Sequence, residues 1–301
     1  VLVCADTGGK EQWRKSMPKD LGGQVSTVGG GPKGMGWGFS WSPLVDGEQL
    51  VCVPGGPRGL FAALNKKTGE VIWRSKEVTD PCPYSSPLLA TLGGVKQYIQ
   101  QTNAGLVGVE AKTGDRLWYF RRKRPWSDVV CPTPIRQGEL IYATATTDEG
   151  CSLIRVKYDG KKFQAEEVYS AKRISNFHDG VVKVGKYVYG YHGNREWACQ
   201  HFAVEGENKW ASGPKALGAG GSGGSLIFAD GRLYVLAEKD GTGVAGMLEP
   251  NPRKYSEICR FTLPRRSAIR KESGGVWTHP VLSDGYLYLR DQELLFCYKV
   301  K

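Results

Sequence analysis

Residues 64–73, LNKKTGEVIW, place a Thr-Gly turn four residues ahead of a tryptophan, and residues 109–118, VEAKTGDRLW, repeat the pattern. The same Gly-to-Trp spacing occurs at four places in the chain. These pairs are Gly9 and Trp13, Gly69 and Trp73, Gly114 and Trp118, and Gly206 and Trp210. The tryptophans are separated by 60, 45 and 92 residues, and 92 is two steps of 46. A regular spacing of this kind indicates an internal structural repeat.

A second repeated feature lies between the Gly-Trp pairs. A small or polar residue and a proline lead into an apolar run, a turn and another apolar run, as in WSPLVDGEQLVCV and WTHPVLSDGYLYLRD. Its positions are Pro43, Pro87, Pro134, Gly180, Ser225 and Pro280, at steps of about 44, 47, 46, 45 and 55 residues. Both features therefore share one period of about 45 residues.

Each period is typical of four short antiparallel strands. Stretches such as YVYGY and YLYLR alternate and are rich in aromatic and β-branched residues, and Asp-Gly pairs suit tight hairpin turns. Four strands in about 45 residues form one blade of a β-propeller. The sequence predicts an all-β fold of six to eight such blades in one domain, residues 1–301. The expected blades are 39–75, 84–120, 131–169, 178–211, 221–263 and 277–300, with two further strands at 1–16.

The Gly-to-Trp spacing has a physical reason inside a blade. Glycine permits the turn between the third and fourth strands, and the indole can lie against the backbone of the neighbouring blade while its N–H finds an acceptor. We therefore expect these tryptophans to join adjacent blades.

Composition and charge narrow the class of protein. The chain has 301 residues, 41 glycines, 16 prolines and a net charge of +11. No run approaches the roughly 18 apolar residues of a membrane span. Basic stretches at 121–124 (RRKR) and 265–271 (RRSAIRK) favour anionic partners, but no nucleic-acid-binding motif accompanies them. We interpret both stretches as solvated loop faces.

Eight cysteines are spread along the chain without a CxxC or a vicinal pair, which argues against a zinc ribbon or another metal site. Most lie in apolar runs such as LVCVP and LLFCYKV, where cysteine acts as a small buried hydrophobe. A disulfide between Cys4 and Cys297 is the alternative for these two residues.

In a propeller the first strand of each blade lines the central channel, so residues just before it converge at one mouth of that channel. These positions are Ser40, Trp41, Ser42, Tyr84, Ser85, Ser86, Cys131, Pro132, Thr133, Phe177, His178, Asp179, Trp277, Thr278 and His279. A concave site with aromatic, hydroxyl, imidazole and carboxyl groups is a candidate binding site. The candidate catalytic residues are His178, Asp179 and His279. The alternative is that this group only shapes the turns, and His192 and His201 are expected to be structural or exposed.

The glycine-rich stretch VGGGPKGMGWG, residues 28–38, lacks the spacing of a phosphate-binding loop. We expect a flexible insertion between blades. LGAGGSGGS, residues 217–225, is expected to be a similar link.

The copies ADTGGKEQW, LNKKTGEVIW and EAKTGDRLW resemble the repeat of the pyrroloquinoline-quinone (PQQ)-like β-propellers. That group includes quinoprotein alcohol dehydrogenases and outer-membrane assembly lipoproteins of the BamB type, and the chain as a whole is similar to PQQ-like repeat proteins of planctomycete-type bacteria. Because the family usually has seven or eight blades, the resemblance also implies further strands before Val1.

The resemblance implies two functions. The first is a monomeric binding or scaffold protein of the cell envelope, periplasmic or secreted, with an envelope protein or an anionic polymer as partner. The alternative is a PQQ-dependent alcohol or polyvinyl-alcohol dehydrogenase, which would hold the quinone with calcium. Its candidate cofactor-binding residues are Trp277, Asn176, Trp41 and Tyr84. The chain lacks the vicinal cysteines and the CxxCH haem motif of many such enzymes. A third hypothesis is a carbohydrate-binding or hydrolytic module using His178, Asp179 and His279.

Overall fold

The structure is a computed structural model, which describes residues 1–31, 36–145, 150–171, 174–193, 196–204, 207–221, 223–271 and 274–300. Within these ranges it contains 25 β-strands and no helix. The strands form antiparallel sheets, most of them with four strands in simple sequence order. The predicted all-β fold of four-stranded propeller blades is therefore confirmed.

The chain divides into two compact units, the first consisting of Val1–Ala143 and Ser152–Val168 and the second of Thr144–Cys151 and Tyr169–Lys301. The first fourteen strands, most of whose residues belong to the first unit, are β1 (Leu2–Ala5), β2 (Glu11–Lys15), β3 (Leu44–Asp46), β4 (Gln49–Cys52), β5 (Ala62–Asn65), β6 (Val71–Arg74), β7 (Leu88–Leu92), β8 (Val95–Thr102), β9 (Gly105–Glu110), β10 (Arg116–Arg121), β11 (Ile135–Gln137), β12 (Leu140–Thr144), β13 (Cys151–Tyr158) and β14 (Phe163–Ala171). They form a two-stranded sheet, β1-β2, and three four-stranded sheets, β3 to β6, β7 to β10 and β11 to β14.

The second unit contains the remaining eleven strands. These are β15 (Val181–Val184), β16 (Tyr187–His192), β17 (Glu196–His201), β18 (Asn208–Ala211), β19 (Gly224–Ala229), β20 (Arg232–Lys239), β21 (Thr242–Leu248), β22 (Glu257–Thr262), β23 (Val281–Ser283), β24 (Tyr286–Asp291) and β25 (Leu294–Lys299). They form two four-stranded sheets, β15 to β18 and β19 to β22, and a three-stranded sheet, β23 to β25.

Every blade that carries the Gly-Trp feature has an irregularity at the same place. The register shifts between the last two strands of the sheet, for example at Ala63/Leu64 in β5 and between Arg116 and Trp118 in β10. The same shift occurs in the β1-β2 and β17-β18 pairs. A bulge of this kind bends the strand and increases its twist. It therefore redirects the tryptophan that follows the Thr-Gly turn.

The expectation that the tryptophans join neighbouring blades is confirmed for Trp13 and Trp73 in the first unit. A Cβ placed on Gly69 would lie 2.8 Å from the Trp13 indole, whose Nε1–H donates to the Lys66 carbonyl at 3.0 Å. A Cβ on Gly114 would lie 2.3 Å from the Trp73 indole. Each glycine thus leaves room for the indole of the preceding blade.

The remaining two tryptophans of the Gly-Trp pairs, Trp210 and Trp118, differ in whether they contact the neighbouring blade. In the second unit, Trp210 Nε1–H donates to the Asn251 carbonyl at 2.8 Å in the next sheet, while Gly206 lies outside the described residues. Trp118 corrects the prediction. Its indole N–H donates to Gln97 Oε1 at 2.7 Å, and its ring packs on Gly108, so it stays within its own sheet. Gly108 leaves space for the ring there, and Gln97 supplies the acceptor.

Only some of the cysteines are buried, as the sequence predicted for most of them. All eight are free thiols, so the alternative Cys4–Cys297 disulfide is absent. Cys52, Cys82, Cys151 and Cys199 are buried. Cys259 and Cys297 are exposed. The burial expected from the LLFCYKV run is therefore wrong for Cys297. Cys297 lies on β25, the outer strand of a three-stranded sheet, where residues alternate between half-buried and exposed.

The residues just before the segment expected to be a flexible insertion, residues 28–38, pair with Cys82, and the described part of the segment itself is also hydrogen-bonded. Cys82 N–H donates to the Gln24 carbonyl at 2.7 Å, and Ser26 N–H donates to the Cys82 carbonyl at 2.9 Å. Residues 32–35 lie outside the described part of the chain. Beyond them, Trp37 N–H donates to the Tyr84 hydroxyl at 3.1 Å. The described parts of the insertion are therefore held by specific hydrogen bonds.

Candidate functional site

The predicted site residues of the second unit lie on two segments, one just before β15 and the other just before β23. The His178 ring contacts two aromatic rings at a tilt, with centroid separations of 4.2 Å to Phe177 and 4.4 Å to Trp277. The side chain of His178 is 18% exposed, whereas Trp277 is 40% exposed. The stack therefore fixes the imidazole and leaves part of the indole at the surface.

Asp179 orients His178 from the side. Its Oδ1 lies 3.1 Å from His178 Nδ1, and its side chain is 1% exposed. A Cβ on Gly223 would lie only 2.7 Å from Asp179 Oδ1, so glycine lets the chain pass close to the carboxylate. Asp179 Oδ2 and His178 Nε2 are buried and have no hydrogen-bond partner among the described residues. The pair has the Asp-His arrangement of a general base, but Nε2 does not reach solvent.

His279 lies next to this pair. A Cβ on Gly180 would be 2.8 Å from its Cε1, so the imidazole packs against the backbone just after Asp179. The residue as a whole is exposed. Surrounding protein atoms remove part of its hydration and lower the pKa of His279, while the Asp179 charge opposes this shift.

Asn176 supports the segment from below. It is fully buried, its Nδ2 donates to the Tyr191 carbonyl at 2.9 Å, and its backbone N–H donates to Thr144 Oγ1 at 3.2 Å. Asn176 Oδ1 has no partner among the described residues. Tyr191 donates its hydroxyl to the Gly218 carbonyl at 2.6 Å, and burial, reinforced by the Asp179 charge, raises the pKa of Tyr191.

The structure therefore brings His178, Asp179, Trp277 and His279 together, with Asn176 beneath them. Sequence reasoning placed Phe177 beside the candidates but did not anticipate its stacking on His178. It also missed Gly223, which lies in the glycine-rich link at 217–225. Gly223 has a φ of 138° and lies next to the Asp179 carboxylate, which explains why glycine occupies this position. The sequence around Gly223 contains no sign of this contact.

Trp41 and Tyr84, the other candidate cofactor residues, belong to the first unit. Trp41 is buried, and its Nε1–H donates to Cys82 Sγ at 3.0 Å. The Tyr84 hydroxyl donates to the Ser26 carbonyl at 2.7 Å. Both side chains thus hold the segment around Cys82 and the insertion in place, and a cofactor role for them stays a prediction.

The two remaining histidines make the local contacts expected of structural residues. His192 Nδ1 accepts the Ser175 N–H at 3.0 Å. His201 Nδ1 accepts the N–H groups of Ala203 and Val204 at 3.2 and 3.1 Å. The His192 imidazole thus joins the end of β16 to the segment before β15, whereas the His201 imidazole closes a turn of its own segment.

The donor set around Asp179 does not fit a calcium-bound quinone. Calcium takes six to eight oxygen ligands, with several carboxylates among them. Asp179 supplies the single carboxylate described at this site, it already contacts His178, and Asn176 supplies one amide oxygen. Throughout the described ranges, no three His, Cys, Asp or Glu side chains are grouped so that they could hold a metal ion.

Sheets with the Thr-Gly turn and its inserted tryptophan define the class of PQQ-like repeat propellers. The family model described as outer membrane protein assembly factor BamB matches residues 1–212, and the chain belongs to this family. No curated protein matches the chain.

Solved structures show the same fold at low sequence identity. BamB from Moraxella catarrhalis is 13% identical with a TM-score of 0.59, covering 86% of this chain and 74% of that one. A putative 6-phosphogluconolactonase from Bacteroides uniformis is also 13% identical, with a TM-score of 0.55, covering 86% of this chain and 80% of that one. These matches concern the fold alone.

Proposed function

We propose that this chain is an extracytoplasmic binding protein of the bacterial cell envelope, which acts as a scaffold for a protein partner in the manner of an assembly factor. Membership of the BamB family supports this proposal, since that family is described by its part in outer-membrane protein assembly. The net charge of +11 favours an acidic surface on the partner. Within the described ranges, no helix is long and apolar enough to cross a membrane.

The observation that carries the proposal is the position of Trp277. Its indole is 40% exposed, although the His178 ring beside it and the Asp179 carboxylate are largely buried. A tryptophan that already packs against a neighbouring ring loses less conformational freedom on binding, and tryptophan is enriched among residues that dominate binding energy. The site therefore presents a preorganised aromatic anchor.

A site-specific crosslink tests this proposal. A benzoylphenylalanine placed at position 277 in the bacterial host should crosslink to a component of the outer-membrane assembly machinery under ultraviolet light. The matched control is the same group at Ile72, which is 50% exposed on β6 and has no aromatic stack. Crosslinking from both positions alike, or from neither, would contradict the proposed anchor.

The second candidate is a PQQ-dependent dehydrogenase. Two buried oxygens without partners among the described residues, Asn176 Oδ1 and Asp179 Oδ2, are the observation that favours it. Because these donors are too few for calcium, we expect no bound chromophore when PQQ and calcium are added at high micromolar concentration. A quinone spectrum that disappears in Asp179→Asn would instead support the dehydrogenase.

A further inference from the structure

The basic stretch at 265–271 forms a loop after β22 that presents one aliphatic side chain to solvent. Ile269 is 70% exposed. Arg265, Arg266 and Lys271 are exposed as well, whereas Ser267 and Arg270 are buried. The loop therefore combines an apolar tip with three surface cations.

Arg270 fixes the loop to the second unit from below. Its side chain is 1% exposed, and Nη1 donates to Glu238 Oε2 at 2.8 Å and to the Gly274 carbonyl at 2.7 Å. Nη2 donates to the Gly241 carbonyl at 2.6 Å, and Nε lies 3.0 Å from Asp291 Oδ1. A buried guanidinium with this many partners is a strong local constraint.

Ser267 closes the turn that carries Ile269. Its Oγ accepts the N–H groups of Ile269 and Arg270 at 3.2 and 3.1 Å and donates to Glu293 Oε2 at 2.6 Å. Its own N–H donates to Asp291 Oδ2 at 3.0 Å. The exposure of Ile269 is therefore built into a braced turn and is not a consequence of a loose loop.

The charges of the loop are divided between two sides. The carboxylates of Glu238, Asp291 and Glu293 face the underside, where they bind Arg270, Ser267 and the backbone of the loop. Arg265, Arg266 and Lys271 are exposed and form no ion pair within the described ranges, while Glu272 lies outside those ranges. The Arg266 guanidinium also donates to the Lys271 carbonyl at 3.4 Å and lies beside Gly241. The other basic stretch differs, because Arg121 and Arg122 stack on the rings of Tyr119 and Trp126 at 4.1 Å.

We infer that this loop binds an anionic phospholipid surface, with Ile269 inserted among the headgroups and Arg265, Arg266 and Lys271 paired with lipid phosphates. A single exposed aliphatic side chain can enter a bilayer without a preformed pocket. To bind a protein partner, the same side chain would need a pocket on that partner. Mobile headgroups can also meet cations without fixed geometry, and cations near such a surface contribute additively to binding. The inference does not depend on the partner proposed for Trp277.

Vesicle flotation with the full chain tests the inference. The wild-type chain should bind vesicles of phosphatidylethanolamine and phosphatidylglycerol and should not bind vesicles of phosphatidylcholine. The triple variant Arg265→Ser, Arg266→Ser, Lys271→Ser should reduce binding by a factor on the order of 100 when all three cations contact the surface. Ile269→Ser should also weaken binding, and Ile269→Trp should gain blue-shifted fluorescence that brominated lipid quenches.

The matched control removes the same charge elsewhere. Lys123→Ser, Lys161→Ser, Lys162→Ser replaces three exposed lysines of the first unit and should bind vesicles like the wild type. Thermal unfolding of each variant shows whether it is folded. Equal loss in the control triple, equal binding to both vesicle types, or loop-dependent binding to polyglutamate without binding to vesicles would overturn the inference, the last in favour of an acidic protein.

Discussion

The surroundings of His279 change the pKa of its imidazole. Loss of hydration lowers its pKa, whereas the Asp179 charge and a hydrogen bond with the His178 backbone oppose this effect. Because the pKa of His279 in the folded chain lies below that of the unfolded chain, its contribution to stability is present above about pH 6.5 and falls as the pH drops below that value. At neutral pH, His279 therefore presents an uncharged imidazole.

We predict that the Asp179→Asn variant lowers the pKa of His279 further, since it removes the negative charge that favours the protonated imidazole. A titration of the His279 ring resonance by NMR measures this change, with His201 as an internal reference distant in sequence. An unchanged His279 titration in Asp179→Asn would contradict the electrostatic arrangement described for this site.

At the scale of one element, the Thr-Gly turn has two separate requirements. Gly9, Gly69 and Gly114 all have positive φ, at 83°, 73° and 79°. Only Gly69 and Gly114 also face an indole, whereas nothing lies within 4 Å of a Cβ on Gly9. The energetic cost of the turn's backbone conformation and the cost of its contact with the preceding blade can therefore be measured separately.

We predict that Gly114→Ala destabilises the chain more than Gly9→Ala. Both variants place alanine at positive φ, which costs about 1 kcal/mol. Gly114→Ala must in addition displace Trp73, and overpacking of this kind costs about 1 to 3 kcal/mol more. Urea unfolding gives the difference. Equal losses of the free energy of unfolding would show that the indole moves aside without cost.

Across the whole molecule, burial sorts the cysteines into reactive and protected thiols. We predict that Cys259 and Cys297 react rapidly with a disulfide reagent at pH 8 and that Cys4 and Cys131 react more slowly. The four buried thiols should react only after denaturation, because burial withholds them from the reagent and, for example, raises the pKa of Cys52 to about 12.

The variant Cys259→Ser, Cys297→Ser should lose the rapid phase alone. Eight thiols should be counted after denaturation without reductant. A count of six would reveal a disulfide and contradict the free state of all eight.

Much of the fold could be predicted because its signals are local. Strand alternation, Asp-Gly turns and the Thr-Gly turn act within a few residues, and their repetition every 45 residues or so leaves few architectures open. The placement of Trp118 could not be predicted in this way. Its choice between the neighbouring blade and its own sheet depends on Gln97 and Gly108, which belong to other strands.

The candidate site divides in the same way. The positions before each first strand were found from the repeat alone, and they included His178, Asp179, Trp277 and His279. Two contacts could be seen only in the folded unit. His178 meets Trp277, which lies 99 positions away in the chain, and Gly223 comes close to the Asp179 carboxylate. The sequence by itself determined the repeating strands and turns, because these depend on neighbouring residues. Only the tertiary structure decided which side chains meet, which thiols are exposed and how Ile269 is held outward, because these depend on segments brought together by packing.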